Sequence, residues 1–178
     1  MIEGFLNDGD EKMLAGEASS VKNGIIVEIG CWLGKSTRVL SENAKTSKVY
    51  SVDPMQGIRG ENDADIDKRS PDELMRILYK NMEGCDNWEL IRKTSEEAVE
   101  GWDKPIDLMF IDGLHDYDNV YFDALNWSKF VKPNGIIMFH DYRRDNGVDN
   151  GVKKAVDELS YLFKQIIVVD SMAIGIKK

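Results

Sequence analysis

The sequence predicts an α/β domain built on a mostly parallel sheet with an antiparallel end. Three observations carry that expectation. Short apolar runs, most of them β-branched, alternate with stretches of helical periodicity. The last two runs are separated by little more than Asp170-Ser171-Met172. That is too short for a helical crossover, so the two form a hairpin and the final strand is antiparallel. The first run passes through a turn holding Gly30 and Gly34 directly into a helix, the kind of connection at which open α/β sheets bind ligands.

The apolar runs are Ile25–Ile29, Val49–Val52, Trp88–Ile91, Ile106–Ile111, Ile136–Phe139, Ile166–Val169 and Ala173–Ile176. Most lack polar alternation, so they read as strands covered on both faces. Gly9–Val21 reads as a short helix laid before the first strand, and Ser36–Ala44 as the helix after it. Pro71–Met82 carries Leu74, Leu78 and Met82 at helical spacing and opens on a capping box, Ser70-Pro71-Asp72-Glu73. Tyr117–Val131 puts Val120, Ala124, Leu125 and Trp127 on one stripe, and Val152–Phe163 does the same with Val152, Val156, Leu159 and Phe163. Pro133-Asn134-Gly135 is a turn that launches the following strand.

Composition bounds the function. With 178 residues, 42% hydrophobic and 31% charged, the chain is expected to form a single domain over 1–178. Its 23 Lys+Arg against 32 Asp+Glu give a net charge of −9, which argues against general nucleic-acid or anionic-membrane binding. No apolar run approaches the roughly 20 residues that span a bilayer. Met1–Asp8 has neither a basic start nor an apolar stretch, so no signal peptide is expected. Cys31 and Cys85 form no CxxC pair, which fits a reducing, cytoplasmic setting.

The turn after the first strand, Val27-Glu28-Ile29-Gly30-Cys31-Trp32-Leu33-Gly34-Lys35-Ser36-Thr37, allows three readings. Gly34-Lys35-Ser36 ends like a phosphate loop, but Gly30 and Gly34 enclose three residues where that loop needs four. A dinucleotide fingerprint fails because Trp32 stands where the middle glycine must admit a pyrophosphate. The third reading joins E-x-G-x-x-x-G to Asp53, which closes the strand Val49-Tyr50-Ser51-Val52. Carboxylates at Glu28 and Asp53 suit a nucleoside without phosphates, one facing a ribose diol and the other a cationic group. S-adenosylmethionine is such a ligand. A plain strand–helix turn would leave Glu28 an incidental charge.

On these motifs the chain resembles the class I S-adenosylmethionine-dependent methyltransferases, from about Gly4 to Lys178. Val27–Thr37 looks like their first motif, Val49–Pro54 like their second, and the terminal hairpin like the end of their seven-stranded, Rossmann-like sheet. The resemblance implies strand order 3-2-1-4-5-7-6. It implies that Gly30, Cys31, Trp32, Gly34 and Ser36 hold the methionine part and Asp53 the ribose. Thr94, Ser95 and Glu96 would edge the adenine, although Thr94-Ser95-Glu96-Glu97 also reads as a capping box.

Two further strands end in acids, at Asp112 before Gly113-Leu114-His115 and at Asp141 after His140. Neighbouring strands lie about 4.8 Å apart, so the two carboxylates can converge and hold a hard divalent ion such as magnesium. Phe110–Tyr117 and His140–Asp141, with Trp127 and Pro133-Asn134-Gly135 between, resemble the small O-methyltransferases related to the catechol and macrolide-sugar types. That resemblance places Asp112 and Asp141 at metal-ligand positions, with Asp112 also beside the cofactor. It puts His115 where the catechol type has a lysine general base. Tyr142 departs from the pattern, standing where a third ligand is usual; Asp145 or a water in its place, or no metal at all, are the alternatives. His140 precedes Asp141 and is expected to point to the other side of the strand, in a structural or supporting role.

Pro54–Ser70 and Tyr142–Gly151 are the segments expected near an acceptor, the first as a lid or a solvated loop, the second through Arg143 and Arg144. The expected partner is a small-molecule or sugar acceptor, with a homo-oligomer completing the pocket as a further option. The competing functions are a nucleotide-dependent phosphotransferase built on Gly30–Thr37 and a cofactor-binding protein without turnover.

Overall fold

The computed structural model describes residues 2–57, 67–143 and 150–178. Helix α1 (Asp8–Ser20) precedes β1 (Ile25–Ile29), α2 (Lys35–Asn43), β2 (Lys48–Val52), α3 (Pro71–Asn81), β3 (Trp88–Ile91), α4 (Ser95–Val99), β4 (Ile106–Ile111), α5 (Tyr117–Trp127), β5 (Val131–Phe139), α6 (Gly151–Glu158), a 3-10 turn (Leu159–Leu162), β6 (Phe163–Val169) and β7 (Met172–Lys177).

The seven strands form one sheet in the order β3-β2-β1-β4-β5-β7-β6. The first five are parallel, while β7 pairs antiparallel with both β5 and β6. The expected α/β class, strand order and terminal hairpin are all present.

Period-two alternation sorts the strand residues onto two faces. Ile26, Leu108, Phe110 and Met138 pack with Leu14 and Ala18 of α1 and Leu40 of α2. Val27, Met109, Ile111, Ile137 and Phe139 pack on the other face with Val120, Ala124 and Trp127 of α5 and Val152 and Val156 of α6. Helix α3 contributes Leu74 and Leu78 to a third cluster with Cys31, Leu33 and Met55, which anchors the turn after β1.

Two boundaries differ from the sequence expectation. The helix expected over Tyr117–Val131 stops at Trp127, because Val131 already pairs with Ile106. Strand β5 thus begins before Pro133-Asn134-Gly135, which bulges out between the Ile106–Val131 and Leu108–Ile136 pairs with Asn134 at φ 66°. The helix expected over Val152–Phe163 yields to a 3-10 turn at Leu159, and Phe163 opens β6. Covering on both faces also fails at the sheet edge: β6 leaves Ile167 and Val169 exposed, as an outer strand with one unsheltered face must. Among the described residues no helix is long and apolar enough to cross a membrane.

Candidate active site

The carboxyl ends of β1, β2, β4 and β5 share one edge of the sheet, and the sequence-predicted residues gather there. The turn after β1 is closed by backbone geometry. Gly30 (φ 86°) lies so near β4 that a Cβ would stand 2.3 Å from the Asp112 carbonyl oxygen. Gly34 (φ 87°) is the left-handed residue that starts α2.

Asp53 ties this turn together. Its Oδ2 accepts the backbone N–H groups of Cys31 and Trp32, each at 2.9 Å, and its Oδ1 accepts that of Met55 at 2.7 Å. The Gly30 N–H donates to Val52 O and the Gly34 N–H to Cys31 O. A phosphate loop has to offer such groups to an anion. Here those of Gly30, Cys31, Trp32 and Gly34 are already engaged, two of them by a carboxylate that would repel phosphate.

Glu28 is fully buried beneath the turn. Its Oε2 accepts hydroxyl bonds from Thr37 and Ser51 at 2.6 Å each, and its Oε1 has no aligned partner among the described residues. Burial raises its pKa to about 7 against the opposing hydroxyls of Ser36, Ser51 and Thr37, and the nearby Asp112 charge adds to the rise. Ser36, at 6% exposure, faces inward to this carboxylate.

Trp32 holds φ 40°, a rare conformation for a bulky residue. Its indole is fixed by a 2.7 Å bond from Nε1 to Asp67, by stacking on Phe5 at 5.3 Å and by the Arg69 guanidinium 5.4 Å from the ring.

At the start of α4 the capping box is formed: the Thr94 hydroxyl accepts the Glu97 N–H, and the Glu97 side chain returns to the Thr94 N–H. The Ser95 hydroxyl donates to buried Asp123 and accepts the Trp127 indole N–H at 2.8 Å. Of the three residues expected near adenine, only Glu96 is exposed, while Thr94 and Ser95 are half-buried.

The ends of β4 and β5 hold the densest chemistry. Ile111 pairs with Phe139, so the next residues outward, Asp112 and His140, are register neighbours. The Asp112 Oδ1 lies 3.0 Å from Nδ1 of His140 and 3.5 Å from Nε2 of His115. That His115 nitrogen lies 3.4 Å from Oδ2 of Asp141, whose Oδ1 is 3.7 Å from Nδ1 of His140.

Strand alternation predicted that His140 and Asp141 would diverge. Asp141 instead adopts φ 56° as the strand ends, and this left-handed turn brings its carboxylate back to the side of His140. His140 is therefore the member that sequence reasoning underweighted. A signal was available, because the chain has two histidines and both follow strand ends on the same edge.

Burial works against the Asp112 carboxylate, but the two histidines outweigh it and hold its pKa below the ordinary range. Burial likewise opposes charge on His140, yet Asp112, Asp141 and Asp10 raise its pKa to about 9.

Tyr142 does not join the cluster, since its hydroxyl donates to Asp157 of α6 at 2.8 Å. Arg144, Asp145 and Asp149 lie outside the described residues, as do Arg59, Glu61, Asp63 and Asp65 of the expected lid.

Comparison with known proteins agrees with this architecture. Residues 27–142 match a family model described as a methyltransferase domain. The protein R132 of Acanthamoeba polyphaga mimivirus, itself uncharacterized, is 30% identical over 122 residues, 66% of this chain and 51% of that protein. The chain spans about half or less of the length of the curated relatives it matches.

Among solved structures, the O-methyltransferase NovP superposes with a TM-score of 0.74 at 17% identity, covering 94% of this chain and 79% of its own. An O-methyltransferase from Bacillus cereus in complex with SAH superposes with a TM-score of 0.67 at 17% identity, covering 97% of this chain and 83% of its own. The matched family model covers most of the chain, and the sheet order is the one the resemblance implied. The chain belongs to the methyltransferase domain family, of the class I S-adenosylmethionine-dependent type.

Proposed function

We propose that this chain transfers the methyl group of S-adenosylmethionine to a hydroxyl oxygen of a small molecule or sugar. The observation that carries the reading is the acidic wall of Asp53 and Asp112 around a turn two of whose amides are already bonded to Asp53. Such a wall suits a cationic, phosphate-free nucleoside and disfavours a nucleotide. The B. cereus enzyme, crystallised with SAH on the same fold, supports the choice of cofactor. Both structural relatives described above are O-methyltransferases, which supports oxygen as the acceptor.

The cofactor supplies an electrophilic methyl on a good leaving group. The protein has to orient the acceptor oxygen and make its proton labile. Glu28, Gly30, Cys31, Trp32, Gly34 and Ser36 build the floor on which the methionine end rests, Asp53 faces the ribose, and Thr94, Ser95 and Glu96 border the base. The acceptor hydroxyl meets Asp112, His115, His140 and Asp141. His115, 34% exposed while its Nε2 faces two carboxylates, is the residue through which this cluster activates the hydroxyl. A divalent ion at the cluster would serve the same end by direct charge stabilisation.

The test is calorimetric titration with S-adenosylhomocysteine and with ATP, followed by methyl transfer to a panel of hydroxyl acceptors with and without EDTA. Binding of the first ligand, no binding of ATP and transfer to a hydroxyl are expected. His115→Ala should cut turnover about a hundredfold or more while leaving homocysteine-nucleoside affinity intact. ATP binding in place of S-adenosylhomocysteine ends the proposal.

A further inference from the structure

We infer that the first turn of α6 sets the spacing between His115 and Asp141, with Asn150 as the positioning residue on the Asp141 side and Gly151 on the His115 side. The inference deepens the methyl-transfer reading and rests on it only for the part His115 plays in activating the acceptor.

The sheet alone does not set this spacing. Ladder pairing between β4 and β5 ends at Ile111–Phe139, and Asp112 and His140, one residue further out, inherit its register. His115 lies four residues past the end of β4, and Asp141 has turned out of the strand direction at φ 56°. Yet Nε2 of His115 and Oδ2 of Asp141 stand 3.4 Å apart. Two irregular segments held this close need a support outside the sheet, and their contacts lead to α6.

On the Asp141 side the tie is a pair of hydrogen bonds. The Asn150 side-chain amide donates to the Tyr142 carbonyl at 2.8 Å and to the Asp141 carbonyl at 3.3 Å. Its Oδ1 accepts the Lys153 N–H at 3.0 Å and so caps α6. One side chain thus satisfies both the start of the helix and the backbone that carries Asp141. A left-handed conformation at a non-glycine residue persists only with such surrounding support.

On the His115 side the tie is close packing. A Cβ at Gly151 would stand 2.7 Å from the His115 carbonyl oxygen and would also strike the Tyr117 backbone nitrogen. Helix start and loop meet backbone to backbone, with no room for a side chain between them.

Further along α6 the pattern repeats. The Tyr142 hydroxyl donates to Asp157 at 2.8 Å and the Tyr117 hydroxyl to Glu158 at 2.7 Å. Lys153 lies 5.4 Å from the Tyr142 ring and Lys154 4.6 Å from the Tyr117 ring. Each arm of the cluster is therefore held to α6 at two levels. Tyr142 serves as one of these ties, which accounts for a tyrosine that faces away from the cluster.

The chain has two histidines, so the 1H–13C spectrum of the imidazole Cε1 groups carries two signals, assigned through His115→Ala. Asn150→Ser keeps a capping oxygen and loses the amide. Its His115 signal should shift while the Tm stays near that of the wild type. Gly151→Ala, acting from the other side, should shift the same signal. The double variant Tyr117→Phe/Tyr142→Phe removes only two exposed hydroxyl ties, should shift it too, and decides the matter if both α6 variants unfold. Ser70→Ala removes the cap of α3 and should lower the Tm without moving the His115 signal. With an acceptor that turns over, Asn150→Ser should lose about tenfold or more in kcat at unchanged KM for S-adenosylmethionine. A His115 signal unmoved in every folded variant overturns the inference. An equal shift in Ser70→Ala overturns it as well, because the response is then general loosening. S-adenosylhomocysteine titrated into the wild type separates the two claims. If it does not bind, the methyl-transfer reading falls, and the ring spectrum still decides the part played by α6.

Discussion

The Asp10 carboxylate of α1 stands 3.4 Å from Nε2 of His140, joining the first helix to the end of the fifth strand. Both residues are buried. Asp10 is itself fixed, accepting the Ser171 hydroxyl at 2.9 Å and the Asn7 side-chain amide at 2.6 Å. A carboxylate held this firmly sets which ring nitrogen of His140 turns toward Asp112, so Asp10 acts as a positioning residue. Asp10→Asn should move the His140 titration, followed by NMR, below about 9 while leaving S-adenosylhomocysteine affinity unchanged. A merely structural role would lower the Tm and leave that titration where it was.

Asp53 bonds three backbone N–H groups around the turn after β1. Asp53→Ala removes all three acceptors and the charge expected to face the ribose. Charge-assisted bonds of this kind are worth about 1.5–3 kcal/mol each. S-adenosylhomocysteine affinity should fall about tenfold or more, as read by calorimetry. An unchanged Kd would mean that the ribose sits elsewhere.

Gly30 has no room for a methyl group, since a Cβ there meets the Asp112 carbonyl oxygen at 2.3 Å in a left-handed conformation. Gly30→Ala should cost about 2 kcal/mol or more in urea unfolding. Gly16 of α1 is exposed and a Cβ there meets nothing within 4 Å. Gly16→Ala should therefore stabilise the fold by up to about 1 kcal/mol. Equal effects of the two substitutions would contradict the packing of the turn against β4.

Asp123 lies buried beneath Ser95 and Trp127. Burial raises its pKa to about 7; the Ser95 hydroxyl opposes the shift, while the Glu96 and Asp116 charges add to it. The folded state thus holds a proton that the unfolded chain releases near pH 4. The stability associated with that proton is complete below about pH 4 and is lost as pH rises through about 7. Asp123→Asn, which keeps the shape without the charge, should gain on the wild type by about 4 kcal/mol between pH 4 and 8. Urea midpoints across that range check it, and a pH-independent gap would show that Asp123 stays ionised in the fold.

The fold was readable because its signals are local and redundant. Ile25–Ile29 and Ile106–Ile111 are apolar runs bounded by turns, and Ser70 with Glu73 spells a cap that the structure forms. Three residues between the last two apolar runs force a hairpin whatever surrounds them. The helix after Asp116 was overextended because Phe130 and Val131 continue its apolar pattern, and the competing pair for Val131 is Ile106 on a distant strand. The site was only partly readable for the same reason. Asp53, Asp112 and His115 follow from which strand ends share an edge. The partnership of Asp112 with His140, however, depends on a one-residue register between β4 and β5 and on the left-handed backbone of Asp141. Asp10 carried no signal, because 130 residues separate it from the imidazole it supports.

The placement of β7 between β5 and β6 bears on how the molecule is made. Of the seven strands it is the last to leave the ribosome, yet it lies inside the sheet. Until residues 172–177 emerge, β5 presents a bare row of main-chain donors and acceptors, and Phe163–Val169 has no neighbour to lean on. A nascent polypeptide stalled just short of this point therefore carries an unpaired strand edge open to wrong pairing. Six residues close the exposed flank in a single step.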